Sequence, residues 1–300
     1  MKVVATWYGT AMLHLNFDDS LGVLFDPSAF RPPAARPVVK FDPETDSLDP
    51  LHAVLVSHSH FDHVFHLPAV LERHPDAFAF APAHALKNCR ALCAGETFDD
   101  YRLDVVEETW ERLKEVKPGD SVQLVGDECG GGDVGDRARL FATAIESAHV
   151  HFDWFAVRRI LFSWATWRRI RYYLKCFRGF PLGDVVGWDV EVTGVEGDAF
   201  RLVFFGSLCK EYPEELARHA GADLFVVPLH GRKEVLPHAE VMTRALAPKA
   251  VLPVHFDDFF PPISWPCDVS SYEEWLSREM PRVRYQRLDV EVPTIIHPAS

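Results

Sequence analysis

Seven consecutive residues, Ser57-His58-Ser59-His60-Phe61-Asp62-His63, hold three imidazoles and one carboxylate. Imidazole nitrogen and carboxylate oxygen are the donors that suit zinc and comparable divalent ions. In an extended chain, side chains two apart point the same way, so His58 and His60 can share one ion. A turn at Phe61 then swings Asp62 and His63 toward a second position. A bound ion lowers the pKa of a water toward neutrality and polarises the oxygen of a carbonyl or phosphoryl group, which is metal-assisted hydrolysis. Asp62 serves in this scheme as a ligand of the second position or, with that position empty, as the group that orients the water or takes its proton.

A cluster of this kind needs a rigid element beneath it. The run from Leu51 to Val56 is apolar and reads as a buried strand ending at Ser57. Before it, Val3–Trp7, Met12–Phe17 and Gly22–Phe25 read as hairpin strands, and the proline- and aspartate-rich stretch 30–50 as a surface loop. After it, a helix is expected over Val64–Arg73, a strand over Phe78–Ala81 and a helix over Pro82–Ala94. The second half repeats the alternation, with strands at Leu140–Ile145, Val185–Thr193, Arg201–Phe205, Asp223–Pro228 and Ala250–Val254. Helices are expected there at Tyr212–His219, His238–Leu246 and Tyr272–Met280. Strands alternating with helices define an α/β class, and without a Pro/Gly/Ser linker the chain reads as one domain over 1–300. The glycine-rich stretch 126–136 lacks a Gly-Lys-Ser/Thr ending and reads as an acidic loop.

Composition narrows the function. A hydrophobic content of 48% supports a sizeable core, and a formal charge of −13 argues against a nucleic-acid partner. The six cysteines form no CxxC pair, which favours a reduced, cytoplasmic setting. The N-terminal residues read as a strand, not a signal peptide, and no apolar run is long enough to cross a membrane.

The HSHFDH stretch matches the HxHxDH motif of the metallo-β-lactamase superfamily, and the flanking text widens the resemblance. TWYGTAMLHLNF with GVLFDP, HAVLVSH before the motif, ADLFVVPLHG and APKAVLPVHFDDF resemble the branch of ascorbate-6-phosphate lactonases and N-acylphosphatidylethanolamine-type phospholipases D. The resemblance implies a four-layer αββα sandwich with two metal positions at one edge of the sheets. It implies that His58, His60 and a later histidine hold one ion, with His149 favoured and His151 the alternative. It implies that Asp62, His63 and His255 hold the other. Zn2+ is the expected metal, as one or two ions, with Mn2+ or Fe as substitutes.

Two departures bear on the site. Ser207 stands where the family carries a bridging aspartate, so the second position is expected to be weaker or empty, with Cys209 as an offset substitute. Thr10 replaces an early histidine. Asp26, Asp257 and Asp258 are candidates to orient the ligand imidazoles, and His230 is a candidate substrate contact.

Between about 151 and 183 the pattern is interrupted by an arginine- and aromatic-rich insertion. Residues 151–178 carry seven basic residues and one acid in an otherwise acidic chain. On one continuous helical wheel the arginines scatter. Because the segment follows His149, it reads as a lid in which Arg158 and Arg159 meet an anionic small-molecule substrate. The expected activity is hydrolysis of an ester, lactone or phosphoester. A lipid phosphodiesterase touching a membrane surface, or a non-catalytic metal-binding relative, are the alternatives.

Overall fold

The computed structural model describes residues 1–32, 34–98, 101–125, 139–149, 158, 162–208, 213–230 and 235–297. Two mixed sheets of seven strands lie face to face, with helices on their outer sides. In chain order, the first sheet comprises β1 (Val3–Trp7), β2 (Leu13–Phe17), β3 (Leu21–Phe25), β4 (Ala53–Leu55), β5 (Phe78–Ala81), β6 (Leu113–Glu115) and, from the C-terminal end, β14 (Thr294–Ile296). Its spatial order is β14-β1-β2-β3-β4-β5-β6, antiparallel up to β3 and parallel from β3 to β6. The second sheet is built from β7 (Ser121–Val125), β8 (Arg139–Ser147), β9 (Val185–Thr193), β10 (Ala199–Phe205), β11 (Leu224–Pro228), β12 (Ala250–Val254) and β13 (Arg284–Tyr285), side by side in sequence order.

Parallel strands inside an α/β sandwich are covered on both faces, so they are apolar throughout instead of alternating. Every residue of β3, β4, β11 and β12 is buried. Between the sheets, Phe25 stacks on Phe204 at 4.3 Å and Phe17 meets Phe200 at 5.9 Å between ring centroids. The indole of Trp188 donates across the gap to the Val56 carbonyl at 3.1 Å. Outside the first sheet, α1 (Phe61–Val64), α2 (Leu67–Arg73), α3 (Ala83–Cys93) and α4 (Glu107–Glu111) are joined by α5 (Trp164–Arg168) and α6 (Ile170–Gly179). Outside the second lie α7 (Pro213–Arg218), α8 (Val235–Leu246) and α9 (Ser270–Glu279). This is the four-layer αββα sandwich.

Where observed elements depart from expectation, the causes are local. The single helix expected over Val64–Arg73 is two, because Pro68 has no N–H to return to the Val64 carbonyl. The Cys89 thiol donates to that carbonyl instead, at 3.6 Å. The insertion is also partly regular, with α5 and α6 meeting at Arg169. No helix among the described residues is long and apolar enough to cross a membrane.

The proline-rich loop before β4 is tied down by imidazoles. Leu48 N–H donates to His74 Nε2 at 3.3 Å, and Ala29 N–H to His66 Nδ1 at 3.2 Å, so both nitrogens must be unprotonated. The buried His14 bonds the Pro50 carbonyl through Nε2 at 3.0 Å. Burial pushes His14 down to about 4, the Pro50 bond opposing this only in part. A histidine depressed in the fold stays neutral while the unfolded chain takes up a proton, so its cost begins below pH 6.5 and grows until the folded value is reached. For His14 this is about 2 kcal/mol between pH 7 and pH 5. Urea unfolding of the chelated protein at those two pH values should show the fall, and His14→Gln, which keeps a donor but cannot titrate, should show less of it. Equal losses in both proteins would remove His14 from the account.

Candidate metal centre

β4 ends at Leu55, and the chain runs on extended through Val56, Ser57, His58 and Ser59, all fully buried. The Ser57 carbonyl accepts from Val186 N–H at 2.8 Å, which ties this stretch to β9 of the other sheet. His60 keeps an extended backbone (φ −67°, ψ 150°) as the cap of α1, and that helix then presents Asp62 and His63. The turn expected at Phe61 is therefore the start of a helix. His149 lies two residues past β8, and His255 follows directly on β12.

These placements bring the side chains together in two sets. One ligand atom from each of His58, His60 and His149 lies within 4.8 Å of the others, and the same holds for Asp62, His63 and His255. The sets adjoin, with ring centroids of His58 and His63 3.9 Å apart. The Asp62 carboxylate stands 3.5 Å from both His63 Nε2 and His255 Nε2. Burial opposes ionisation of Asp62. The His63 charge, the hydrogen bond and charge of His255, and then His60 outweigh it and hold the carboxyl well below the usual range. His58 is pushed the other way, well down, by burial and then by its histidine neighbours. Burial also lowers His63, but Asp62 and Asp26 outweigh it and raise the imidazole overall.

Asp26 orients both sets. One carboxylate oxygen accepts Ser57 N–H at 2.7 Å, and the other accepts both the Ser57 hydroxyl and His63 Nδ1, each at 2.7 Å. The serine has one hydroxyl proton, and it is spent on Asp26, so the 2.9 Å contact of Ser57 Oγ with His58 Nδ1 must be donated by the imidazole. His58 Nε2 then carries a bare lone pair. It is buried and has no hydrogen-bond partner among the described residues. An orphaned acceptor of that kind is what a ligand nitrogen looks like beside its ion. By the same logic His63 bonds Asp26 through Nδ1 and turns Nε2 toward Asp62. The residues present therefore fit a divalent cation at each set.

Gly206, just after β10, closes on this support. A Cβ there would fall 2.0 Å from Ser57 Oγ and 2.4 Å from Asp26 Oδ2, so no larger residue fits without moving the network. Ser207 beside it is buried.

The second set rests on a further clamp. His255 N–H donates to the Thr10 carbonyl at 2.7 Å, and Thr10 N–H donates to the Asp257 carboxylate at 3.0 and 3.2 Å. Arg31, itself almost fully buried, pairs with Asp257 and donates to the Pro37 carbonyl at 3.2 Å. Thr10, Asp26 and His255 all adopt left-handed backbone (φ 49°, 45° and 59°), uncommon for residues other than glycine and unfavourable for β-branched threonine. Strain of this kind persists only where surrounding bonds over-determine it.

Of the carboxylates offered as imidazole supports, Asp26 is in direct contact and Asp257 acts through Thr10. Asp258 accepts from Ser264 Oγ at 2.7 Å and so braces its own loop. His230, just past β11, faces the cleft 5.1 Å from His255 between ring centroids. His151, Arg159 and Cys209 lie outside the described residues. Arg158 is exposed and does not line the cleft, and Arg168 and Arg169 are exposed too.

The apolar wall of the cleft was not anticipated from the sequence. It is formed by Phe177 of α6 and by Phe259, Phe260, Ile263 and Trp265 from the loop after β12. No arginine or lysine is among the described residues that line the cleft.

A profile of the β-lactamase superfamily domain matches residues 22–256. The chain belongs to the metallo-β-lactamase superfamily, a fold family that implies bound divalent metal. Among solved structures it is similar to Igni18, a metallo hydrolase from Ignicoccus hospitalis KIN4/I, with 16% identity, a TM-score of 0.62 and 99% of each chain covered. It is also similar to an isothiocyanate hydrolase from Delia radicum gut bacteria, with 13% identity, a TM-score of 0.54, and 99% of this chain and 100% of that one covered. A third is CmlA, a diiron β-hydroxylase from Streptomyces venezuelae, with 13% identity and a TM-score of 0.54; 98% of this chain covers 54% of it. At such identities these likenesses define the fold. No curated protein sequence matches significantly.

Proposed function

We propose that the protein is a metal-dependent hydrolase of an ester, lactone or phosphoester whose scissile group carries an apolar, aromatic-sized substituent. The observation that carries this reading is the pairing of two adjoining His/Asp sets with an aromatic wall across one cleft. His58, His60 and His149 would hold one cation and Asp62, His63 and His255 the other. Zinc suits these donors, and manganese or iron could replace it. A divalent cation held there acidifies a water and polarises the attacked oxygen.

The chain's own groups do the rest. Asp62 would hold the second cation or, with that position empty, orient the water or take its proton. His230 lies where it can reach the polar end of a substrate whose apolar end rests on Phe177 and Trp265. Arg158 is not among the described residues of the lining and Arg159 lies outside the described residues, so the apolar lining alone carries the reading of the substituent. Lactone and phosphodiester cleavage are the chemistries favoured by the resemblance to the lactonase and phospholipase D branch. A cytoplasmic setting rests on cysteine usage, with Cys89, Cys93, Cys176 and Cys267 all free thiols.

Stripping with chelator and restoring Zn2+, Mn2+ or Fe2+ one at a time should recover turnover on phenyl esters, aryl lactones or aryl phosphodiesters. Phe177→Ala and Trp265→Ala should each raise KM for a phenyl ester roughly tenfold, in line with the worth of an aromatic contact, and leave a methyl ester nearly unchanged. A reconstituted protein that turns over none of the three classes is a metal-binding relative, and the hydrolase reading then fails.

A further inference from the structure

The insertion presents a surface that the cleft does not use. Phe162 is 83% exposed, Trp164 77% and Trp167 55%, high values for such large apolar side chains. On α5, Trp164, Trp167 and Arg168 stand three and four residues apart and so share one face, while Thr166 points inward. On α6, Tyr173 and Cys176 are buried against the core, and Arg171, Leu174, Lys175 and Arg178 form the outward stripe. The scatter of arginines on a single wheel therefore dissolves into two short faces once the helices part at Arg169.

The charge of this surface is one-sided. No acidic residue occurs between Trp154 and Gly183, in a chain of net charge −13. Arg171, Leu174, Lys175 and Arg178 line a shallow depression in which Glu96 is the one acid among the described residues. Exposed tryptophan and phenylalanine interleaved with arginine and lysine is the composition that settles at a membrane interface, rings at the headgroup level and cations against anionic phosphates. A second copy of the chain is a poorer occupant, because an isologous contact would set the same cations face to face. The surface is also continuous with the cleft, since Phe177 of α6 forms part of both the helix and the wall.

We propose that the face formed by Phe162, Trp164, Trp167 and the cations of α5 and α6 docks the protein on an anionic lipid surface, with the mouth of the cleft beside the membrane. This goes beyond the proposed hydrolysis and does not depend on it, because docking is read without turnover.

The test is co-sedimentation of the full chain with vesicles of phosphatidylcholine alone or with one-third phosphatidylglycerol. Binding is expected to the anionic vesicles only and to weaken in high salt. Trp164→Ala/Trp167→Ala and Arg168→Gln/Arg169→Gln/Arg171→Gln should each lower partitioning tenfold or more. Circular dichroism and the thermal midpoint of each variant show that it has folded before partitioning is compared. In the wild type, tryptophan emission should shift to the blue on binding. Absence of binding to anionic vesicles at low salt overturns the proposal. So does sedimentation velocity showing a dimer that Trp164→Ala/Trp167→Ala disperses while vesicles are ignored, since the face is then an interface between copies. Equal binding to both vesicle types would remove the role of the cations and overturn it as well.

Discussion

Asp26→Asn is expected to weaken metal binding at both ligand sets by roughly ten- to a hundredfold, the usual cost of losing a partner that orients a ligand imidazole. Both sets suffer because one carboxylate serves both. It accepts three hydrogen bonds, from Ser57 N–H, the Ser57 hydroxyl and His63 Nδ1. Asparagine keeps the shape but offers one acceptor oxygen. With its amide nitrogen on the side of Ser57 Oγ and His63, it faces two donors. Flipped, it faces the Ser57 N–H. Either way a buried donor is left unpaired, at a cost of about 1–3 kcal/mol. The serine then loses its reason to leave its lone pair to His58, and the tautomer that bares His58 Nε2 is no longer enforced. Competition against a fluorescent chelator measures the affinities, with circular dichroism to show that the fold survives. Unchanged affinity at both sets would mean that Asp26 only packs.

This network marks the limit of what the sequence carries. The seven residues from Ser57 to His63 were legible as a ligand cluster because strand spacing and a following helix can be read locally. His149 and His255 needed the resemblance, since only the fold says which strand ends converge. Ser57 sits inside the cluster, yet its role depends on Asp26, thirty-one residues away. Arg31 gave no signal at all, because its partner Asp257 is 226 positions distant. The aromatic wall has no periodicity to betray it: Phe259, Phe260, Ile263 and Trp265 lie in irregular chain.

The fold shows the same division. Long buried strands such as Val185–Thr193 and Ala250–Val254 are found where their apolar runs predict them. The strands not anticipated are Leu113–Glu115, Arg284–Tyr285 and Thr294–Ile296 of two or three residues, and Ser121–Val125. All four lie at a sheet edge, where pairing with one neighbour defines the strand and no alternation is required. In the insertion, charge and aromatic content were legible, but the direction of each side chain was not. Phe177 lines the cleft while Arg158, Arg168, Arg169, Arg171 and Arg178 are exposed, and Arg159 lies outside the described residues.

The two ligand sets should separate under mutation. His149→Ala is expected to abolish the more tightly held ion and lower kcat by well over a hundredfold, more than the loss of an outer partner costs. His255→Ala should remove the weaker ion and leave the tighter one in place. The asymmetry follows from Ser207, which occupies the turn beside Gly206 with a neutral hydroxyl where a carboxylate would neutralise charge between two cations. The second set then relies on Asp62, His63 and His255, with Asp62 its one anion. Wild-type protein dialysed against a mild chelator should accordingly retain nearer one ion per chain than two. Ser207→Asp should raise retention toward two, provided the new carboxylate clears the Asp26 network behind Gly206. The circular dichroism of each variant shows whether it has folded, and elemental analysis counts the metal without reference to any substrate. If His149→Ala and His255→Ala strip the protein equally, the two sets act as one strongly coupled site. If wild-type protein keeps two ions through chelation, Ser207 is no handicap, and the clamp of Thr10, Asp257 and Arg31 on His255 is what makes the second set strong.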